Sequence, residues 1–523
     1  MPPSNFGMMY FLGMHWLCPV ILSSMTQMSA FFSAHVFRTL LRTAFAGLAL
    51  ALAPIAQASD TVASEVLVKL KNVAALPSVL APYPGTVSTQ FGSRPIYRLK
   101  LPAGSNVDTV VTNLRGVADV LLAEPNTTNQ SPEARKLVPW AVGTPTAYTA
   151  QWAPAAMHLS AAHRLTKGAG VKVAVLDTGV DLTHPALAGK LLPGYDFVDG
   201  DSNPSEELCT PTPCTTQGIG FGHGTHVAGL IALVAPLAKI IPYRVLNPNG
   251  EGNAWVLAEA LQQAVTDGAD VINMSLGTQT RTRILASITK LFQCEASDST
   301  NPELDFSDAS YIADQTRCTN SVGPVIVAAA GNDFSSNVNE YPAAENVKGL
   351  ISVGASNPTQ HLADFSNFGS WVQIAAPGEG ITSSVPITVA NPGGYGTWSG
   401  TSMAAPLVTG AAALLRSIDR NLPPRDLVRR LQDLATPLQK FGGGGTNISQ
   451  VDVGALGASV QVCQMDIDGD GQILTTTDGL ILMRAMMGMT GTAVSSAAVP
   501  GSPRSDWLSI RAYLVGVCGM TLP

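Results

Sequence analysis

The stretch GTSMAAP at residues 400–406 decides how this chain is interpreted. Its first three residues predict a tight turn, and the Ala- and Leu-rich run from Met403 to Ile418 predicts a helix. Pro406 suits that helix only in the first turn, where backbone N–H groups have no intrahelical partner. Ser402 would then stand at the positive end of a helix dipole, which stabilises negative charge. This position suits a nucleophile for acyl transfer, although an ordinary Ser/Thr helix cap is the alternative.

An upstream strand supplies a carboxylate. Val171 to Leu176 is an apolar, β-branched run of the kind that forms a strand buried on both faces of a parallel sheet. Asp177 follows at the C-terminal end of this run, where ligand sites of open α/β sheets lie. The alternative is an Asp in a β-turn before Gly179.

A glycine-rich turn and an apolar helix supply a base in GFGHGTHVAGLIA, residues 220–232. We interpret His226 as the residue that opens this helix, although a lone His there is also typical of a helix cap or a packed core. Asp177, His226 and Ser402 together provide an orienting carboxylate, a general base and a nucleophile. Their order along the chain, Asp then His then Ser, is one of the orders in which the convergent catalytic triad occurs.

Four motifs in this order closely resemble the subtilisin family of serine endopeptidases: DTGVD (177–181), HGTHVAG (223–229), AAAGN (328–332) and GTSMAAP. The resemblance covers about residues 150–456. It implies that the side chain of Asn332 donates a hydrogen bond to the oxyanion, and that catalysis needs no cofactor.

The same resemblance implies two substrate-binding edges that pair with an extended protein or peptide substrate by β-augmentation. They are formed by Ser275, Leu276 and Gly277 on one side and by the segment around Gly252 on the other. A short connection after the helix of His226 implies that a calcium loop common in the family is missing there. Tyr341-Pro342 resembles a cis-proline turn of the family, and residues 279–322 are interpreted as a polar insertion.

Strands and helices alternate through residues 136–460, which predicts an α/β fold with a mostly parallel sheet and helices on both faces. This is the three-layer arrangement that the subtilisin resemblance also implies. A small α+β unit is predicted before it at residues 59–135, with strands at 65–70, 96–102 and 120–126 and a helix from Asn106 to Arg115. The unit resembles the prodomain of subtilisin relatives and is expected to act as an intramolecular inhibitor. Residues 126–136 are expected to form a cleavable linker.

Residues 1–58 are expected to be a targeting segment. Arg38 and Arg42 precede the apolar run Thr43 to Ile55, and Ala-Gln-Ala at 56–58 fits a signal-peptide cleavage site. The natural start would then lie near Met28. A membrane anchor in the apolar segment 6–25 is the less favoured alternative. The prediction is a secreted protein, either extracellular or in the periplasm or on the surface of a bacterium.

A separate C-terminal tail is predicted at residues 461–523. DIDGDGQILTTTDG at 466–479 resembles the opening of dockerin-type or other EF-hand-like calcium loops. The expected ligands are Asp466, Asp468 and Asp470, the carbonyl of Gln472, and Asp478, which comes one residue later than the usual last ligand. The alternative is an Asx-rich turn, and two short helices are expected after the loop.

Composition limits the remaining possibilities. A net charge of −7 and a pI of 5.6 argue against a nucleic-acid partner. Of the seven cysteines, Cys18 lies in the targeting segment, and the other six allow fifteen disulfide connectivities. Local pairing is the favoured arrangement, as Cys209–Cys214, Cys294–Cys318 and Cys463–Cys518. The sequence therefore predicts a secreted serine endopeptidase. The alternatives are a catalytically silent peptide-binding module and a surface-attached protein that acts through its tail.

Overall fold

The computed structural model describes residues 60–209, 217–320, 323–439, 448–456, 465–470, 472–518, 520 and 522. The expected targeting segment lies outside these residues, as do Cys18, Cys214 and Cys463. Within the described ranges, no helix combines the length and the apolar character that crossing a membrane requires.

The N-terminal unit is an antiparallel sheet with two helices packed on it; the sequence predicted three of its strands and the second of these helices. Its elements are β1 (Thr61–Leu70), α1 (Leu76–Leu80), β2 (Val87–Gln90), β3 (Ile96–Lys100), α2 (Val107–Arg115) and β4 (Val120–Gln130). The first turn of α2 is capped by the side chain of Asn106, which accepts a hydrogen bond from the Thr109 N–H at 2.9 Å. Strands β1 and β3 bury their apolar side chains against α2.

The central sheet has nine strands in the order β16-β17-β13-β12-β11-β10-β6-β8-β7. All neighbouring pairs are parallel except the edge pair β16 and β17. The strands are β6 (Lys172–Asp177), β7 (Tyr195–Asp196), β8 (Lys239–Arg244), β10 (Val271–Met274), β11 (Val325–Ala329), β12 (Leu350–Ser356), β13 (Ile374–Pro377), β16 (Thr436–Pro437) and β17 (Ser449–Gln450). A separate sheet has three strands, β5 (Ala141–Val142), β14 (Ile381–Ser384) and β15 (Tyr395–Trp398), with β15 in the middle.

Helices cover both faces of the central sheet, which confirms the predicted three-layer α/β fold. One face packs against α7 (His223–Val234), α11 (Thr401–Ile418) and α12 (Pro424–Leu434). The other packs against α8 (Ala254–Thr266) and α9 (Arg283–Phe292). The remaining helices before and between these are α3 (Pro132–Arg135), α4 (Pro145–Ala150), α5 (Trp152–Ala156), α6 (Leu159–Leu165) and α10 (Ile312–Asn320).

Helix α11 begins two residues earlier than the sequence predicted. Pro406 is therefore inside the helix and not in its first turn, so that interpretation was wrong. A proline there leaves the carbonyl four residues before it, that of Ser402, without its helical N–H donor. The hydroxyl of Ser275 donates to this carbonyl at 2.9 Å instead, which supplies the missing hydrogen bond.

The insertion at residues 279–322 contains helices α9 and α10, which a disulfide between Cys294 and Cys318 connects. This pairing confirms one of the three expected disulfides. Cys209 and Cys518 are also disulfide-bonded, with partners outside the described residues. The Tyr341–Pro342 peptide bond is cis, in agreement with the turn that the sequence resembled.

The N-terminal unit docks on this insertion through charged groups. The ammonium of Lys69 is buried and donates to the Ser287 hydroxyl at 2.9 Å and the Pro302 carbonyl at 3.0 Å. The carboxylate of Glu124 accepts from the first two N–H groups of α9, those of Arg283 and Ile284, at 3.0 and 2.7 Å. Buried charges need partners of this kind, so the insertion serves as the docking platform of the N-terminal unit.

The C-terminal tail contains three short helices, α13 (Leu480–Met486), α14 (Thr492–Ser495) and α15 (Trp507–Ala512). They enclose a small apolar core of their own, in which Ile467, Ile481 and Ile510 are fully buried. Ile467 lies inside the acidic loop, so packing of the helices and the conformation of that loop are coupled.

Candidate active site

Asp177 and His223 meet at the C-terminal edge of the parallel sheet. Asp177 is the last residue of β6, and His223 is the first residue of α7, directly after Gly222 in a left-handed conformation. Nδ1 of His223 lies 2.7 Å from Oδ1 of Asp177, and both side chains are buried. The Thr178 N–H donates to the same carboxylate oxygen at 2.8 Å. An imidazole held in this way has a fixed orientation and presents Nε2 to the cleft.

The structure contradicts the interpretation of His226 as the general base. His226 lies one helical turn further along α7, where its Nε2 is 3.2 Å from the Ile381 carbonyl and its ring packs against Trp398. Burial lowers the pKa of His226 to about 3, so this imidazole stays neutral. The helix begins at His223 and not at His226, and its first residue is the one that faces the end of β6.

Ser402 and Asn332 lie together at the start of α11. The Ser402 hydroxyl donates to the Ser275 carbonyl at 3.2 Å. Oδ1 of Asn332 accepts from the N–H and the hydroxyl of Thr401, both at 2.9 Å, which turns its Nδ2 donor into the cleft. The predicted nucleophile and the predicted oxyanion donor therefore face the same space.

A carboxylate from the N-terminal side of the chain occupies that space. Glu133, in the short helix α3, is fully buried. Its Oε1 accepts from Asn332 Nδ2 at 2.8 Å, and its Oε2 lies 3.1 Å from Nε2 of His223. The Ser402 hydroxyl also helps to lower the pKa of Glu133. In the part of the chain that the structure describes, no hydrogen bond joins His223 to Ser402, because Glu133 stands between them.

Electrostatics in this cluster favour a charged imidazole. Burial alone would lower the pKa of His223, but the charges and hydrogen bonds of Asp177 and Glu133 outweigh it and raise the pKa to about 10. Burial likewise opposes ionisation of Glu133, yet His223, Ser402 and Asn332 together leave its pKa below the usual value. At neutral pH the cluster is thus an imidazolium between two carboxylates, and a protonated His cannot act as a base.

Glu206 holds the backbone around Asp177 and His223 in place. Its carboxylate accepts hydrogen bonds at 3.1 Å from the Gly222 N–H, from the N–H and hydroxyl of Thr225, and from the hydroxyl of Thr178. Gly222 and Thr225 lie before and after His223 in the chain, and Thr178 directly follows Asp177. Burial raises the pKa of Glu206 to about 7. Glu206 is a positioning residue, since it contacts the backbone around both members of the pair.

The two predicted substrate edges enclose a strand of the chain itself. Gly252 lies in β9 (Glu251–Asn253), which pairs antiparallel with β4 and places Asn129 opposite Gly252. On the other side, the Gln130 N–H and carbonyl exchange hydrogen bonds with Gly277 at 2.8 and 2.9 Å. Ser275 contacts Ser402, as described above, whereas the side chain of Leu276 is buried in the core. A segment threaded between two edges is the arrangement that β-augmentation produces.

The acidic loop of the tail gathers three of the five expected metal ligands. Carboxylate oxygens of Asp466, Asp468 and Asp470 all lie within 4.8 Å of one another. Asp478 does not join them, which corrects its assignment as a ligand. Its carboxylate accepts from the backbone N–H groups of Ile467, Asp468 and Leu474 and so closes the loop on itself. Gln472 donates its N–H to Asp470 at 2.8 Å.

Comparison with known proteins identifies the family of this chain. Residues 168–451 match the model of the subtilase family, Peptidase S8. The chain belongs to the subtilase family. Residues 51–126 match the fervidolysin N-terminal prodomain, so the N-terminal unit is a prodomain.

Curated relatives cover little more than half of this chain. The thermophilic serine proteinase of Bacillus sp. (strain AK1) is 37% identical over 57% of the chain and 63% of its own length. Thermitase of Thermoactinomyces vulgaris is 34% identical over 52% of the chain and 84% of its own length. The structure of fervidolysin from Fervidobacterium pennivorans has the same fold, with a TM-score of 0.57 and 23% sequence identity. The match covers 76% of this chain and 61% of the fervidolysin chain.

Sequence reasoning missed His223, Glu133, Glu206 and Glu340, which is described below. For His223 a signal was present, because it directly follows Gly222, and glycine is among the residues favoured immediately before the first turn of a helix. Glu133 and Glu340 act through contacts with residues 199 and 205 positions away along the chain, which no local pattern reveals.

We expect His223→Ala to reduce kcat by about 10⁴-fold or more, the effect of losing a triad histidine. His226→Ala should instead cost about 1–3 kcal/mol of stability through its lost buried contacts, while keeping most of kcat below its unfolding temperature. Peptide hydrolysis and thermal unfolding of both variants decide between the two histidines. A folded His226→Ala protein without activity beside an active His223→Ala protein would contradict the assignment.

Proposed function

We propose that this chain is a secreted serine endopeptidase, made as a zymogen whose own prodomain blocks the active site. The supporting observation is the convergence of Asp177, His223, Ser402 and Asn332 at one edge of the sheet, between two strands that can hold an extended peptide. Neutral His223 takes the proton of the Ser402 hydroxyl as that oxygen attacks the peptide carbonyl. Asp177 keeps Nδ1 protonated and stabilises the imidazolium that forms.

Negative charge develops on the carbonyl oxygen as the bond to Ser402 forms. Nδ2 of Asn332 and the N–H of Ser402 at the start of α11 are the donors that would stabilise it. The imidazolium then gives its proton to the leaving amine, and water hydrolyses the acyl-enzyme by the same route. Loss of the equivalent amide in subtilisin, another member of this family, costs about 10²–10³ in kcat, and we expect Asn332→Ala to cost a similar factor.

Maturation follows from the position of Glu133. The predicted linker, residues 126–136, begins inside strand β4, and its residues 130–135 lie in the cleft, so they must leave before a substrate can reach Ser402. We infer a prodomain ending near residue 135 and a peptidase domain over about residues 136–460. A silent binding module would keep the fold but lack reactivity at Ser402, and a fluorophosphonate label on Ser402 distinguishes the two. A surface protein acting through residues 461–523 would retain its partner when only this tail is used in a pull-down.

We expect the purified wild-type chain to convert to a shorter form with its N-terminus between residues 126 and 145 and to hydrolyse casein. Ser402→Ala should keep the longer form and be inactive, because the nucleophile is missing. Intact-mass measurement and a casein assay on both proteins provide the test. If Ser402→Ala is processed as fast as wild type, another protease makes the cut; if it also hydrolyses casein, the proposed function is wrong.

Glu133 supports the inhibitory role of the prodomain, and neutralising it should weaken that inhibition. We expect Glu133→Gln to mature at least about ten-fold faster at pH 7, because about 1.4 kcal/mol of lost charge pairing suffices for that factor. Asp108→Asn removes an exposed carboxylate of the same prodomain and serves as the matched control. The loss of full-length chain after refolding, followed on gels, gives the rates. Equal rates for Glu133→Gln and wild type would contradict the role of Glu133.

The same contact predicts alkaline activation. The raised pKa of His223 means that its pairing with Glu133 is fully present below about pH 6.5, the ordinary histidine pKa, and is lost as pH rises through about 10. The depressed pKa of Glu133 means that its contribution is present above its ordinary value and is lost only in acid. Maturation should therefore accelerate from pH 7 towards pH 10 in wild type, and this acceleration should be absent in Glu133→Gln.

Calcium in the tail is the remaining part of the proposal. Asp466, Asp468 and Asp470 bring three carboxylates together, an arrangement that repulsion disfavours unless a cation neutralises it, and Ca²⁺ prefers such oxygen ligands. The Gln472 carbonyl is a further candidate ligand. The loop is distant in sequence from the triad. The proposed mechanism uses only residues of the peptidase domain, and calcium bound to the loop has no part in it.

Isothermal titration of full-length Ser402→Ala with Ca²⁺ should give a heat of binding that Asp468→Asn abolishes. Asp506→Asn changes a carboxylate of the same tail outside the cluster and is the control, with binding expected to persist. No heat at millimolar Ca²⁺ would mean that the loop is only a turn, and equal heats for Asp468→Asn and Ser402→Ala alone would place the ion elsewhere.

A further inference from the structure

A buried carboxylate stands next to the reacting groups and takes no part in the mechanism above. Glu340 has no exposed surface. Its backbone is fixed because the next residue, Tyr341, exchanges two hydrogen bonds with Thr278 at 2.8 and 2.9 Å. This pairing holds Glu340 beside Gly277, the edge residue that bonds to Gln130. The carboxylate is therefore part of the wall of the substrate cleft.

Two glycines leave room for this carboxylate. A side-chain carbon at Gly277 would lie 2.5 Å from Oε1 of Glu340, and one at Gly331 would lie 3.1 Å from Oε2. Gly331 directly precedes Asn332, whose amide faces the site of the oxyanion. The space around Glu340 thus opens beside the position of the carbonyl under attack. The side chain nearest to that carbonyl belongs to the residue before the scissile bond.

An arginine of the linker occupies this space in the uncleaved chain. The guanidinium of Arg135 donates to both oxygens of Glu340, at 2.8 and 2.9 Å, and to the Gly277 carbonyl at 3.1 Å. This is the two-pronged geometry in which a guanidinium and a carboxylate match best. Arg135 follows Glu133 by two residues on α3, so clearing Glu133 from the cleft also withdraws Arg135 from Glu340.

Withdrawal of Arg135 would leave Glu340 without its cation. Burial raises the pKa of Glu340, and the charge of Arg135 opposes that rise. A buried carboxylate favours a ligand that supplies positive charge and hydrogen-bond donors, and it disfavours an apolar or acidic one. The pocket that Arg135 fills is thereby selective for a cationic side chain.

We propose that Glu340 makes this peptidase selective for arginine, and secondarily for lysine, in the residue before the scissile bond, with Arg135 as an internal occupant of the same pocket. This inference rests on the proposed function, because it assigns the substrate class of that site. Glu340 is a specificity-determining residue and leaves the chemistry to Ser402, His223, Asp177 and Asn332. Arginine binds with two parallel hydrogen bonds, whereas lysine offers one ammonium at the same place.

The test uses the mature enzyme and fluorogenic peptides that differ only in the residue before the fluorophore: arginine, its uncharged isostere citrulline, or leucine. We expect kcat/KM for arginine to exceed that for citrulline by about 100-fold, since leaving a buried charge unpaired has a cost of that size. In Glu340→Gln the ratio should fall below about ten, mainly through the arginine peptide. Glu340→Asp should recover part of it, and Glu379→Gln, which changes an exposed carboxylate, should keep the wild-type ratio.

A wild-type ratio near one would overturn the inference, and so would an undiminished ratio in Glu340→Gln. The ratio in wild-type enzyme decides even if the Glu340 variants fail to fold. Labelling of Ser402 by a fluorophosphonate distinguishes failure of the arginine selectivity from failure of the proposed peptidase activity. If Ser402 is labelled and the leucine peptide is cleaved while arginine and citrulline are equal, only the inference fails. If no peptide is cleaved and no label attaches, the proposed function fails and the inference with it.

Discussion

The imidazole of His223 is buried between two carboxylates, and its contacts with both of them connect the peptidase core to the prodomain linker. Asp177 comes from a strand end, His223 from a helix start, and Glu133 from the linker of the prodomain. Each alone would be costly to bury, and together they form a charged cluster whose members satisfy one another. Asp177 fixes the orientation of the His223 imidazole, and the two carboxylates together raise its pKa well above the ordinary value.

Contacts far from the site hold the prodomain against the rest of the chain. Strand β4 continues its sheet into β9 of the peptidase domain, and buried Lys69 and Glu124 bind the insertion that contains α9. Burial lowers the pKa of Lys69 to about 7 and raises that of Glu124 to about 7. These charges are satisfied only while the two parts stay docked. The insertion therefore has a structural role, binding the prodomain, which its polar composition did not reveal.

Local sequence predicted the elements and most of the site. Short β-branched runs indicated parallel strands, and a residue at a strand end or helix start marked Asp177 and Ser402. The choice between His223 and His226 needed the rotation of α7 about its axis relative to β6, which depends on where the helix begins. Pro406 was misinterpreted because the helix begins two residues earlier than predicted, and a hydroxyl from Ser275 replaces the hydrogen bond that the proline removes. Glu133 and Glu340 acquire their roles through tertiary contacts alone.

The protonation of His223 in the uncleaved chain can be measured directly. Full-length Ser402→Ala, labelled with ¹⁵N at histidine, gives the pKa of His223 by NMR titration, and Glu133→Gln in the same background removes one of the two carboxylates. We expect a His223 pKa near 10 in the first protein and a clearly lower pKa in the second. A His223 pKa close to the ordinary value of about 6.5 in both proteins would contradict it.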